Sequence, residues 1–418
     1  MGPTLILDKS ALQSLSKIES FYLHRYFIVN IPPVLIMEIL ADLKKDDTRA
    51  TPPKLVSEFA GKLLLGDGCV NGHYQELIRQ SLVGNEPKMD GQPVLQGKTV
   101  RTSDGEHVIL MEETAEEKAI QRWKDGRFED SEEILAEGWR SITRTMDIEA
   151  IQRALRKDFH NIPEIGSPSA LLSAVDNLLG DISAQVAVLS WMLVEYGIES
   201  NIASKAAQRL QLCGYKSLGE LAPYAYYCMR VSVLYYLGLF YRCPFVGTRK
   251  TNRVDLEYLF YLPFCNAFVS NDNFHKSVVE PFLRSDQLFV HGEDLKRGLA
   301  AVADQWSKLT EAQRKDSWPP DQSGPIILAL WGQFCRPRQP EGKNHIPSMT
   351  EDEQRELLGR LRPLIEKAQS GTEQIASVQD DDVQFMIRRR SYRLEDPCMC
   401  GSGLTAGECC LKDLGRGR

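Results

Sequence analysis

The segment from Val254 to Asp272, VDLEYLFYLPFCNAFVSND, decides the fold of this chain. Its first part predicts a short helix that carries Asp255 and that ends before Pro263, because proline cannot continue a helix. Residues 267–269, Ala-Phe-Val, form a short apolar run bounded by turn residues, which predicts a buried strand of a parallel sheet. Asp272 follows this strand, and open α/β sheets place their ligand chemistry beyond the carboxyl ends of strands. Two acids are therefore expected near one edge of a sheet.

Two segments near the amino terminus carry two further acids. Residues 4–7 predict a buried strand that leads into Asp8, and residues 27–31 predict a second short strand. Pro33 marks the start of a helix, because proline is tolerated in the first helical turn. Glu38 lies inside the apolar stretch of this helix, where a carboxylate is costly unless it has a partner or a metal ion.

Composition limits the range of folds and partners. The chain has 418 residues, of which 43% are hydrophobic and 26% are charged. It can therefore bury a sizeable core, either as one large domain with insertions or as two to three smaller domains. The net charge of -7 argues against a generally basic surface for nucleic acid. A polyanionic partner would need a local basic patch or bridging metal ions.

The sequence predicts a cytoplasmic protein with no membrane partner. No basic leader precedes the first apolar run. The longest apolar stretch, Ala222 to Phe240, is rich in tyrosine and is interrupted by Arg230. It predicts a buried core helix, with a membrane span as the lesser alternative. Ten cysteines without a secretory leader indicate reduced thiols or metal ligands rather than disulfides.

The four acids together resemble the PIN nuclease domain. Asp8 follows a buried strand, Glu38 lies on a helix entered through proline, Asp255 lies on a later helix, and Asp272 follows a second buried strand. The part from Asp255 to His275 is the most specific, and the middle of the chain is not covered. Lys9 departs from the family, which often has threonine or a small residue beside the first aspartate, but no carboxylate is missing.

The resemblance implies an α/β, three-layer fold with a central, mostly parallel sheet, interrupted by a largely helical insertion. It also implies a metal-dependent endoribonuclease that hydrolyses single-stranded RNA, with all four acids as catalytic ligands of Mg²⁺ or Mn²⁺. Such hard cations prefer carboxylate oxygens, activate a water molecule and relieve charge on the leaving oxygen. The alternatives are a DNA nuclease of the same fold and a non-catalytic module that binds nucleic acid or protein.

The predicted organisation has two halves of one domain around the insertion. The insertion contains a hairpin near residues 98–111, since a Ser-Asp-Gly turn separates two apolar runs there. Its role is packing by default, with a substrate clamp or a partner surface as alternatives. The predicted regions are the PIN-like domain at 1–45 and 222–298, the insertion at 46–221, a helical region and linker at 299–382, and a basic segment with a cysteine motif at 383–418.

The cysteine motif resembles the SEC-C zinc motif. Its ligands would be Cys398, Cys400, Cys409 and Cys410, with a Gly-Ser-Gly turn after the first pair. Four thiolates can close a tetrahedral, structural zinc site, and the metal would stabilise a segment with too little core to fold alone. The connecting loop lacks the lysines and the aromatic residue usual in the family. Zinc binding survives this change, whereas contact with an acidic partner is put in doubt.

Several polar residues are candidate substrate contacts. An arginine cluster just before the cysteine motif is either a solvated charge run or a nucleic-acid contact. His275 and Arg253 lie near the acids in sequence; either could touch substrate, but a surface role is expected. The candidate contacts are Ser10, Arg253, Asn271, Arg388, Arg389 and Arg390.

Overall fold

The computed structural model describes residues 2–45, 51–63, 68–95, 98–101, 107–110, 113–157, 159, 162–213, 217–310, 313–314, 318–335, 355 and 359. The four predicted zinc ligands, Cys398, Cys400, Cys409 and Cys410, lie outside the described residues. So do Arg388, Arg389 and Arg390, and with them the whole basic segment and cysteine motif at 383–418.

The strands of the described chain are short. They are β1 (Thr4–Leu7), β2 (Ile28–Ile31), β3 (Gly68–Val70), β4 (Lys98–Arg101), β5 (His107–Leu110), β6 (Ala267–Ser270) and β7 (Leu288–His291).

Helices make up most of the remaining described structure. The α-helices are α1 (Lys9–Ser14), α2 (Lys17–Tyr26), α3 (Pro33–Leu40), α4 (Pro52–Lys62), α5 (Tyr74–Val83), α6 (Ala115–Lys124), α7 (Asp130–Thr145), α8 (Ile148–Arg156), α9 (Pro168–Leu178), α10 (Ile182–Glu195), α11 (Ser200–Cys213), α12 (Leu218–Leu221), α13 (Pro223–Tyr241), α14 (Asn252–Leu259), α15 (Asn273–Val278), α16 (Gly292–Trp306) and α17 (Pro325–Phe334). Short 3₁₀ helices cover Ala41–Lys44, Leu262–Phe264 and Glu280–Phe282.

Five parallel strands form the central sheet, in the order β3-β2-β1-β6-β7. The predicted α/β class with a parallel sheet is confirmed. Strands β1, β2 and β6 are buried along their whole length, which explains why their sequences are continuous apolar runs. Ile6 of β1 pairs with Asn30 of β2 on one side and with Phe268 of β6 on the other. Segments from opposite ends of the predicted domain thus lie side by side.

The sheet extends into the region predicted to be an insertion. Strand β3 pairs in parallel with β2, in the register Val29 to Gly68. The boundary predicted at residue 46 therefore differs from the structure, since the sheet takes its edge strand from beyond it. A strand of three residues is too short to produce a recognisable pattern, which is why it escapes prediction. Strands β4 and β5 pair antiparallel where the sequence predicts a hairpin.

Helix α13 is central to the helical part of the molecule. It packs against α5, α8, α9, α10, α12 and α14. As predicted for the longest apolar stretch, most of its side chains are buried in the protein core. In the described part of the chain, no single helix is long and apolar enough to cross a membrane; α9 and α10 meet that criterion only as a pair, bent by 105°.

Candidate active site

The acids lie at the carboxyl edge of the sheet. Because β1 and β6 are parallel neighbours, the segments that follow them emerge at the same edge. The chain runs outward from β1 to β2 and β3, and later returns to the other side of β1 as β6 and β7. The crevice between β1 and β6 is thus the point where the strand order reverses, which is where such sheets bind ligands. Asp8 and Asp272 flank it.

The carboxylate of Asp8 is buried in a dense hydrogen-bond network. Only 3% of the residue is exposed. As the N-cap of α1, it accepts a hydrogen bond from the Ala11 N–H at 2.8 Å. The hydroxyl of Ser10 lies 2.8 Å from both of its oxygens, and that of Ser270, 262 positions along the chain, donates to Oδ2 at 2.7 Å. The predicted substrate contact Ser10 therefore holds Asp8 in position.

His275 lies fully buried between two of the acids, so the expected surface role was wrong. Its Nδ1 is 2.8 Å from the Ser270 hydroxyl and 3.3 Å from Asp8 Oδ2. Its Nε2 is 2.8 Å from the backbone carbonyl oxygen of Asp255. A carbonyl can only accept, and the Ser270 proton is directed to Asp8, so both ring nitrogens donate. This arrangement of hydrogen bonds favours a charged imidazolium.

The charges of Asp8 and His275 support one another. Burial alone would raise the pKa of Asp8, but the hydrogen bond and positive charge of His275, with hydrogen bonds from Ser270 and Ala11, lower it below its ordinary value. Burial alone would lower the pKa of His275. The hydrogen bond and charge of Asp8, with the charge of Asp255, raise it to about 9. Asp8 is therefore neutralised by a cation within the protein.

Asp255 and Asp272 share a different cation, Arg249. Its Nη2 is 3.1 Å from Asp255 Oδ2 and 2.7 Å from Asp272 Oδ2. The other oxygen of Asp272 accepts the Phe274 N–H at 2.7 Å, which caps α15. The carboxylates are nearly buried, at 11% and 14% exposed, whereas the arginine side chain is 58% exposed. The two acids are thus largely enclosed by the protein, whereas more than half of their cation is exposed to solvent.

Glu38 lies on α3, which packs against α14. Its Oε2 accepts a hydrogen bond of 2.5 Å from the Tyr258 hydroxyl, one helical turn beyond Asp255. Burial raises the pKa of Glu38 to about 7; the charge of Lys9 opposes this shift, and the charge of Asp255 adds to it. Burial likewise raises the pKa of Asp255 to about 6, against the charge of His275. In both groups burial is the main cause, because it disfavours the charged form of a carboxyl group.

The other predicted contacts have structural partners. Arg253 forms an ion pair with Glu195 of α10 at 3.0 Å, which ties α14 to the helical region, and a second pair within α14, with Glu257 at 3.2 Å. Asn271 accepts the Glu293 N–H at 3.2 Å and so joins the end of β6 to the start of α16. A Cβ at Gly292 would lie 2.7 Å from the Asn271 side chain, so this approach needs glycine.

Two residues of the site escape prediction from the sequence. Arg249 lies in a loop whose charged residues are all basic, and nothing in that pattern separates it from Arg253, which lies nearer to Asp255 in sequence. His275 follows Asp272 by three positions, and this spacing does not distinguish a buried partner from a surface residue. The only signal available was the apolar sequence around it, Phe274 and Val278–Val279.

The donor set fits a hard divalent cation in chemistry. Carboxylate oxygens are the ligands that Mg²⁺ and Mn²⁺ prefer, and Mg²⁺ needs only one or two carboxylates because it keeps several waters. Asp255 and Asp272 supply two such groups, and both of them contact the guanidinium of Arg249. In the described part of the chain, no three His, Cys, Asp or Glu side chains are arranged to hold one ion together. The predicted set of four ligands therefore differs from the structure: the fit is to the pair Asp255 and Asp272, and Asp8 and Glu38 lie outside that pair.

Comparisons with known proteins add nothing to this picture. No protein-family model matches the chain, and neither a curated protein nor a solved structure matches it significantly. The site is therefore interpreted from its own geometry.

Proposed function

We propose that the chain is a metal-dependent endonuclease with a PIN-like fold, which cleaves single-stranded RNA in the cytoplasm. One observation carries the proposal. Asp8 and Ser270, 262 positions apart, are hydrogen-bonded at the strand-order reversal of a parallel sheet, and Asp272 follows Ser270 by two positions. The charges of Asp255 and Asp8 both act on Glu38. The preference for RNA rests on the resemblance alone, since the acids address the phosphate and not the sugar.

The proposed roles follow from the position of each group. Asp255 and Asp272 would hold Mg²⁺ or Mn²⁺, and the cation would supply an activated water and relief of charge on the leaving oxygen. Asp8, whose charge is balanced by His275, would orient the hydroxyl groups of Ser10 and Ser270 beside the crevice. Glu38, with a pKa of about 7, can exchange a proton near neutral pH. Tyr258 orients Glu38 by its hydrogen bond.

Metal dependence is the direct test of this function. Purified protein incubated with single-stranded RNA should cut it internally in the presence of Mg²⁺ or Mn²⁺. It should not cut in the presence of EDTA, because the proposed mechanism depends on the cation to activate water and to relieve charge on the leaving oxygen. Gel analysis of end-labelled RNA measures the products. A parallel reaction with DNA of the same sequence tests the alternative that the chain is a DNA nuclease of the same fold. Cutting that persists in EDTA, or no cutting of either polymer, would contradict the proposal.

The proposal includes a structural zinc site at Cys398, Cys400, Cys409 and Cys410. We expect about one zinc ion per chain, because four thiolates form a closed tetrahedral site. Inductively coupled plasma mass spectrometry of the full chain measures the content. Replacing Cys409 by serine should lower it, whereas replacing the buried Cys228 of α13 should not. A wild-type chain without zinc would end this part of the proposal.

A second candidate function is a non-catalytic module that binds nucleic acid or a protein partner through the insertion or the zinc motif. One observation favours it: every aspartate of the site already contacts a cationic side chain, His275 or Arg249. Such a module would retain RNA in a filter-binding assay without cutting it, and EDTA would leave that binding unchanged. If the chain is instead the proposed nuclease, RNA incubated with it and Mg²⁺ is cleaved.

A further inference from the structure

We infer that Arg249 is an internal counterion of the Asp255–Asp272 pair, which a divalent cation must displace in order to bind. The inference rests on the proposed metal-dependent function and adds a residue that competes with the metal. The structure provides three separate observations for it: the geometry of the contacts, the balance of charge and the exposure of the side chain.

The geometry places one guanidinium nitrogen where the two carboxylates converge. Nη2 contacts Oδ2 of both aspartates, at 3.1 Å and 2.7 Å. A single cationic atom thus bridges the same two oxygens that would ligate a metal ion. Oδ1 of Asp272 is already engaged by the cap of α15, so Oδ2 is the oxygen left for a cation.

The balance of charge favours exchange for a divalent ion. Asp8 is balanced by His275, but the two aspartates bring two negative charges against the single charge of Arg249. A divalent cation would balance both carboxylates, and the arginine would be free to turn to solvent or to a bound phosphate.

The arginine is held from the solvent side: apart from the two carboxylates, its Nε donates a hydrogen bond to the Thr251 hydroxyl at 2.6 Å. Its loop joins α13 to α14, and residues 248–250 are exposed. The base of the loop is held separately: the buried Asn252 donates to the Val246 carbonyl oxygen at 2.7 Å, and Gly247 takes a positive φ of 63°. Rotation of the side chain alone can therefore take the guanidinium away from the carboxylates, with loss of the Thr251 contact, while α14 keeps Asp255 in position.

Isothermal titration calorimetry of the full chain with MnCl₂ tests the inference. Arg249→Ala should bind Mn²⁺ about five- to tenfold more tightly than the wild type, as expected for the loss of exposed charge-assisted contacts. Arg249→Gln, which keeps the stem and loses the charge, should shift in the same direction. Lys250→Ala is the matched control, because it removes a positive charge from the same exposed loop, and Lys250 contacts the Arg144 carbonyl oxygen rather than the acids. Its Mn²⁺ affinity should equal that of the wild type.

Equal or weaker Mn²⁺ binding by both Arg249 variants would overturn the inference, and so would absence of binding by all proteins. The nuclease assay separates this result from the wider proposal. Tighter Mn²⁺ binding by the variants without cleavage of any polymer would uphold the counterion and count against the nuclease. If the Arg249 variants bind Mn²⁺ no more tightly than the wild type, and the wild type cleaves RNA, the proposed role of Arg249 is overturned and the nuclease proposal stands.

Discussion

Replacement of Asp8 or Asp272 by asparagine should reduce RNA cleavage by at least about a thousandfold. Each change removes one negative charge from a site whose stabilisation of the transition state is worth several kcal/mol, and about 1.36 kcal/mol corresponds to a factor of ten in rate. Initial rates of cleavage at saturating Mg²⁺ measure the effect. The proposed role of Asp272 at the metal predicts weaker Mn²⁺ binding as well, whereas Asp8→Asn should act mainly on the rate.

Asparagine is chosen because it preserves both helix caps, although Asp8→Asn also removes the charge partner of His275 and should lower the free energy of unfolding. The side-chain oxygen of asparagine can still accept the Ala11 N–H at the start of α1 and the Phe274 N–H at the start of α15. Asp304→Asn, on the exposed face of α16, removes the same charge far from the crevice and should leave the rate unchanged. Circular dichroism verifies that the variants fold. A folded variant at either site aspartate that cuts at the wild-type rate would refute the assignment.

Replacement of His275 by alanine should lower the free energy of unfolding by about 3–5 kcal/mol. The change removes one partner of a buried ion pair and leaves the Asp8 carboxylate without its cation, and such losses cost several kcal/mol. Urea denaturation measures the difference. His291→Ala is the matched control, since this histidine is only half-buried, at the end of β7. A loss below 1 kcal/mol at His275 would contradict the proposed charge on the imidazole.

The same histidine predicts a pH dependence. Folding raises its pKa from 6.5 to about 9, so the folded protein holds this proton more tightly than the unfolded chain. Its contribution to stability is complete below pH 6.5 and is lost as the pH rises to about 9. The raised pKa values of Glu38 and Asp255 act in the same direction, because the unfolded chain releases their protons at lower pH.

We therefore expect the metal-free protein to lose stability between pH 6 and pH 9, and His275→Gln to lose less over the same interval. Urea denaturation at several pH values in one ionic strength measures both slopes. Parallel curves for the two proteins would show that His275 does not carry the change.

The elements around the site could be predicted because each has a local signal. Proline marks the start of α3 and the end of the α14 segment, and continuous apolar runs mark β1, β2 and β6. Strand β3 has no such signal, since it is three residues long and is held by pairing with β2. Arg253 was predicted as a substrate contact and Arg249 was not, for a related reason: nearness to Asp255 in the sequence does not tell which of two arginines faces a neighbouring segment.

The amino-acid sequence by itself determined the class of fold and the placement of Asp8 and Asp272 after buried strands, because hydrophobic periodicity and proline act through neighbours in the chain. Only the tertiary structure decided how the charges are paired. The imidazolium of His275 exists because Asp8 and the carbonyl of Asp255 converge on it from distant segments, and Arg249 reaches two aspartates that lie on different elements. The charge state of a buried group depends on the full set of its neighbours in space, which a linear sequence does not specify.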